Sequence, residues 1–87
     1  MTTTERIRQI VAEHAQLAVA VDTLADDSDL FEAGMTSHAS VSLLLAIEDA
    51  FEVQFPDRML HRAIFATIGS LTSAVEELIT PAARASG

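Results

Sequence analysis

The stretch Thr36-Ser37-His38-Ala39-Ser40-Val41-Ser42-Leu43-Leu44-Leu45-Ala46-Ile47-Glu48-Asp49-Ala50-Phe51 decides the fold. Its apolar residues recur at helical rather than strand spacing. Val41, Leu44, Leu45, Ile47 and Phe51 are expected to turn inward, with Glu48, Asp49 and Glu52 in solvent. Thr36 has the chemistry of an N-cap, which places Ser37 at the first helical position with its side chain at the rim. The pattern predicts a central helix from about Ser37 to Val53, stopped by Pro56.

Upstream, Thr2-Thr3-Thr4-Glu5 has the Thr-x-x-Glu spacing of a capping box and opens a helix over residues 3–19. Ile7, Ile10, Val11, His14 and Leu17, with Val21 beyond them, form its apolar stripe; Arg6, Arg8, Glu13 and Gln16 fall on the other side. Residues 20–36 show neither period. A connection of that length is held by its own side chains or serves a function. Leu24, Leu30 and Phe31 are the expected pins, with turn chemistry at Asp26-Asp27-Ser28-Asp29 and a short helical turn near residues 28–32. The acidic run lacks the glycine and the bidentate glutamate of an EF-hand loop, so no dedicated calcium site is expected.

Downstream, Asp57 is placed as the cap of a short helix over residues 58–64, with Met59, Leu60 and Ile64 inward and Arg58 and Arg62 outward. Thr67 is placed as the cap of a last helix over 68–79, whose apolar face is Ile68, Leu71, Val75, Leu78 and Ile79. Pro81 ends it, and residues 82–87 read as a disordered tail. The sum is an all-α protein. It is a small four-helix bundle of three main helices and one short one, with a long first connection, in a single domain over residues 1–81.

Composition excludes several classes. The 87 residues contain no cysteine, so any thiol the protein uses comes from outside the chain. Thirteen acids face five arginines and no lysine, for a formal net charge of −8. Nine of those acids (22, 26, 27, 29, 32, 48, 49, 52 and 57) lie in a segment without Arg or Lys. Neither nucleic acid nor an anionic membrane suits such a surface, whereas basic protein surfaces do. No apolar run is long enough to span a bilayer. Met1-Thr2-Thr3-Thr4-Glu5 lacks the blocks of a signal peptide, and a cytoplasmic monomer is expected.

Ser37 is the residue that carries chemistry. A helix N-terminus offers free N–H groups and partial positive charge, which suits a hydroxyl bearing a phosphate. As a lone Thr-Ser pair it would be an ordinary helix-start serine. As a hydrolase nucleophile it fails: no Gly-x-Ser-x-Gly elbow exists, and His38 points about a quarter-turn away on the helix. His14, His38 and His61 lack i, i+4 spacing, and no metal site is expected.

The segment from Asp29 to Phe55 resembles the acyl carrier protein family, which has Asp-Leu, a glycine, Asp-Ser-Leu, an apolar helix ending in Leu-Glu-Glu-x-Phe, and then Pro-Asp. The matching positions are Leu30, Gly34, Ser37, Ile47-Glu48-Asp49-Ala50-Phe51 and Pro56-Asp57, with the interval from Ser37 to Phe51 in register. The resemblance implies that a phosphopantetheinyl transferase esterifies Ser37 with 4'-phosphopantetheine, whose thiol holds a cargo as a thioester. Two departures sit beside the serine: Thr36 replaces the family's aspartate and His38 its leucine. Ser40 and Ser42 also stand where fatty-acid carriers often have acids.

These departures, with Arg58, His61 and Arg62, imply a partner other than the fatty-acid machinery. Phe55-Pro56-Asp57-Arg58-Met59-Leu60-His61-Arg62 and Phe65-Ala66-Thr67-Ile68 resemble stand-alone carriers loaded with an amino acid by ligases similar to class II aminoacyl-tRNA synthetases. A downstream acyl-acceptor enzyme then takes the cargo. The partner-contact residues so implied are Met35, Thr36, His38, Val41, Arg58, Met59 and Arg62, with His38 alternatively a neighbour of the arm's phosphate. Met35 and Met59 also suit packing near the arm. The alternatives are a fatty-acyl or polyketide-type carrier and an unmodified helical interaction module.

Overall fold

The computed structural model describes residues 2–79, all-helical and without a strand among them. Helix α1 spans Thr3–His14, α2 Ser37–Phe51, α3 Arg62–Phe65 and α4 Ile68–Ile79, with 3-10 turns at Val21–Thr23 and Asp57–Met59. The domain end at Pro81 and the tail at 82–87 lie outside the described residues.

Each main helix begins where its local chemistry directs. Thr2 caps α1 in a complete capping box: the Glu5 N–H donates to Thr2 Oγ1 (3.1 Å) and the Thr2 N–H to Glu5 Oε1 (3.0 Å). Thr36 caps α2 by accepting from the Ala39 N–H, and Thr67 Oγ1 accepts from the Ser70 N–H at the start of α4.

The helix ends differ from expectation. Helix α1 stops at His14 rather than residue 19, because Gln16 turns into the left-handed region (φ 55°) and the chain leaves the helix axis. Helix α2 stops at Phe51 because Glu52 does the same, also at φ 55°. The helix expected over 58–64 is split into the 3-10 turn and the four-residue α3. Pro56, not Asp57, occupies the N-cap position of that turn, and no side chain caps it.

The core is one cluster. Ile7 and Val11 of α1, Leu30 of the connection, Leu43 and Ile47 of α2, and Ile68, Leu71 and Val75 of α4 are fully buried. Helix α1 packs on both α2 and α4, and α3 packs on α4. The inward face of α2 is rotated from the expected one. Ala39, Leu43 and Ile47, at i, i+4 and i+8, are buried, while Val41 (54% exposed) and Leu45 (59%) face outward. Leu60 and Ile79, expected inside, are exposed, and Phe51 is only half-buried. Phe55 and Phe65 are buried and stack at 6.0 Å between centroids.

The long connection is ordered by specific bonds. Leu30 is sealed in the core and its N–H donates to the Ala66 carbonyl (2.7 Å). Asp26 O accepts from the Gly69 N–H (2.8 Å) at the start of α4. Arg8 reaches from α1 to the carbonyls of Val21 (3.1 Å) and Leu24 (2.8 Å) and to the Asp26 carboxylate (2.8 Å). The turn after Asp29 is held by its carboxylate, which accepts from the Phe31 and Glu32 N–H groups. No helix among the described residues is long and apolar enough to cross a membrane.

Candidate functional site

The approach to Ser37 is built by Gly34 and Thr36. Gly34 sits at φ +114°, where L side chains are strained, and a β-carbon there would stand 2.9 Å from the Ala18 nitrogen. The Ala18 N–H donates to the Ala33 carbonyl (2.9 Å), so the turn closes directly on the start of the first connection. Met35 then drops into the core at 3% exposure, and Thr36 rises to cap α2.

Ser37 follows as the first helical residue. It is exposed and its hydroxyl makes no hydrogen bond; only its carbonyl is engaged, accepting from Ser40 Oγ (2.6 Å). The Ser37 and His38 N–H groups are likewise without a protein acceptor, as expected of a first turn whose third N–H is taken by the cap.

Beside the serine runs an open groove of about 390 Å³. The first two turns of α2 below Ser37 contribute Ser40, Val41 and Leu44; Phe31, Leu60 and Phe65 add the other apolar lining. His61 and Arg62 stand at its rim, with the Arg62 guanidinium 3.9 Å over the centroid of the Phe31 ring. None of the thirteen carboxylates in the chain lines this groove.

The structure brings Ser37, Val41 and Arg62 together on the groove, with Thr36 and His38 exposed beside the serine. Arg58 is exposed but engaged elsewhere, with Nη2 3.1 Å from Glu77 Oε1. Met35 and Met59, expected as partner contacts, are each 3% exposed: their apolar thioethers are drawn into the core, which removes them from the surface a partner meets. Ser40 and Leu44 were visible in the sequence, lying at i+3 and i+7 from Ser37 on one helical face. Leu60, His61 and Phe65 join the groove only through the tertiary fold, which no local spacing announces. Among the described residues no cluster of three or more His, Asp or Glu side chains could hold a metal ion.

An exposed, unbonded hydroxyl, two unpaired N–H groups and an arginine fit a phosphodiester, and the apolar groove beside them fits an elongated, partly apolar chain. Residues 5–75 match the family model described as the phosphopantetheine attachment site. The chain belongs to the phosphopantetheine attachment site family. The group this family carries is 4'-phosphopantetheine, covalently attached, and its members are carriers rather than catalysts.

Within the phosphopantetheine attachment site family, the aminoacyl carrier protein of Agrobacterium fabrum is 47% identical over 73 residues, covering 84% of this chain and 88% of that protein. A carrier protein from Agrobacterium tumefaciens has been solved in complex with an engineered Bradyrhizobium japonicum glycine:[carrier protein] ligase and ATP. It is 45% identical with a TM-score of 0.84, covering 87% of this chain and 99% of that one. A holo acyl carrier protein from Nitrosomonas europaea is more distant, at 29% identity and a TM-score of 0.76, covering 88% of this chain and 95% of that one. The all-α fold and the family resemblance drawn from Leu30, Gly34, Ser37 and Phe51 both hold.

Proposed function

We propose that this protein carries an activated amino acid as a thioester on 4'-phosphopantetheine esterified to Ser37. The observation that carries this reading is the setting of the Ser37 hydroxyl: exposed, unbonded, first in α2 and at the mouth of an apolar groove. When bound, the group supplies the thiol that a chain without cysteine lacks. A phosphopantetheinyl transferase installs it on Ser37. An amino acid:carrier protein ligase of the class II aminoacyl-tRNA-synthetase-like kind then loads it, and a downstream acceptor enzyme unloads it.

The aminoacyl cargo is supported by the 47% identity to an aminoacyl carrier protein and by the likeness to a carrier seated on a glycine ligase. Thr36, His38 and Val41, exposed around the serine, form the surface such enzymes meet first. A cytoplasmic setting suits a loading step that consumes ATP.

The test begins with intact mass after co-expression with a broad-specificity phosphopantetheinyl transferase. The expected gain is that of one phosphopantetheinyl group, absent in Ser37→Ala, which folds normally because the hydroxyl bonds to nothing. Incubation of the product with a glycine:[carrier protein] ligase, glycine and ATP should then give a hydroxylamine-labile glycyl adduct. An unchanged mass beside an active transferase overturns attachment. Fatty-acyl loading without aminoacyl loading by any ligase and amino acid tried overturns the cargo.

A further inference from the structure

Arg62 is the one arginine among the described residues whose guanidinium has no hydrogen-bond acceptor. Arg6 donates to the Ala50 carbonyl, Arg8 to Val21, Leu24 and Asp26, and Arg58 to Glu77. Arg62 is held instead by the Phe31 ring at 3.9 Å, leaving its five N–H donors without a protein acceptor. A strongly acidic chain offers many carboxylates, yet none is positioned to take this cation. It lines the groove that Ser37 also lines, where among the described residues it is the only side chain charged at every working pH.

From this geometry we propose that Arg62 is a positioning residue for the phosphopantetheine arm. With Ser37 unmodified it rests on Phe31; with Ser37 esterified it leaves the ring and takes the phosphodiester as its acceptor. The inference rests on the attachment proposed at Ser37. That attachment puts the phosphodiester next to the Ser37 Oγ, on the same groove of about 390 Å³ that Arg62 lines. A guanidinium over the half-buried Phe31 ring makes no hydrogen bond there, whereas its planar fork matches phosphate oxygens and makes charge-assisted hydrogen bonds. Departure of the guanidinium also uncovers the Phe31 face of the groove, whose remaining walls are the apolar Val41, Leu44, Leu60 and Phe65. One side chain would thus fix the root of the arm and open the channel along which the arm can lie.

The test compares the unmodified protein with mass-verified modified protein by NMR. In the unmodified form the Phe31 ring current should displace the Arg62 side-chain proton resonances upfield, a displacement that Phe31→Leu abolishes. The expected result is loss of that displacement on modification. The phosphorus resonance of the arm should also differ between wild-type and Arg62→Gln protein, with Arg62→Lys returning it part of the way. An Arg62 displacement that is the same in both forms, or a phosphorus resonance indifferent to Arg62→Gln, overturns the proposal. Failure of Ser37 to accept the group at all removes both this inference and the attachment it rests on; modification that leaves Arg62 on Phe31 removes this inference alone.

Discussion

Gly34 lies against Ala18 so closely that a β-carbon on the glycine would stand 2.9 Å from the Ala18 nitrogen. The obstacle is backbone, and the Ala18 N–H is itself tied to the Ala33 carbonyl, so the neighbour cannot give way without breaking that bond. The backbone angle at Gly34, φ +114°, adds strain for any L side chain. Gly34→Ala should therefore cost about 1–3 kcal/mol, a fall on the order of 5–20 °C in thermal midpoint for a domain of this size. Because the same turn delivers Thr36 and Ser37, the variant should also be modified more slowly at a temperature where it is still folded. Calorimetry and the time course of the mass gain measure the two effects separately.

Arg8 spans from α1 to the first connection, and most of its bonds go to backbone carbonyls rather than to the carboxylate. The Asp26 side chain is 60% exposed, so the ion pair itself contributes little, roughly 0–1 kcal/mol. The carbonyl contacts of Arg8 depend on a planar fork that an ammonium does not reproduce. Arg8→Lys should thus lose about 1–2 kcal/mol of stability despite keeping the charge, whereas Asp26→Asn should lose about half a kcal/mol or less. Urea denaturation gives both values. Faster hydrogen exchange at the Leu30 and Gly69 amides in Arg8→Lys would locate the loosening in the connection, since those amides bond across it to Ala66 and Asp26.

Helix α2 buries Leu43 completely and leaves Leu45 59% exposed, two residues apart and chemically identical. Leu43→Ala should destabilise the fold by about 2–5 kcal/mol through the cavity it opens. Leu45→Ala should stay within about 0.5 kcal/mol of wild type, as a substitution at an exposed helical position does. Comparable losses for the two in chemical denaturation would contradict the register of α2.

The contrast between Leu43 and Leu45 marks where the sequence was legible and where it was not. The starts of the three main helices were readable because capping is local: Thr2 with Glu5, Thr36 with Ala39, and Thr67 with Ser70 each act across three residues. The buried face of α2 was harder to assign, because Leu43-Leu44-Leu45 carries apolar residues around most of the helix and the partner helix chooses among them. Helix ends at Gln16 and Glu52 rest on left-handed residues that are neither glycine nor asparagine, so composition gave no sign of them. The serine was found from its local frame, whereas the groove beside it depends on α3, a helix of four residues brought to α2 by the fold. Arg8 was expected on a solvent face because a helical stripe does not reveal a loop folding back across it.

Glu5 closes the capping box of α1, and its carboxyl is held below the usual range, first by the hydrogen bond it accepts from the Thr2 backbone N–H and then by the Thr2 hydroxyl. Depression of a folded-state carboxyl pKa means that its stabilising contribution is present above the unfolded-state value and disappears as pH falls through the folded one. Glu5→Gln keeps an oxygen acceptor for Thr2 and removes the charge, including its favourable position in the first turn of α1. The variant should melt below wild type at neutral pH, and the gap should shrink progressively as pH falls below about 4, the carboxylate being lost first from the unfolded state and then, at lower pH, from the folded one. Thermal midpoints of the two proteins across an acid series measure this; a gap that stays constant or widens toward low pH would show that the Glu5 charge does not stabilise α1.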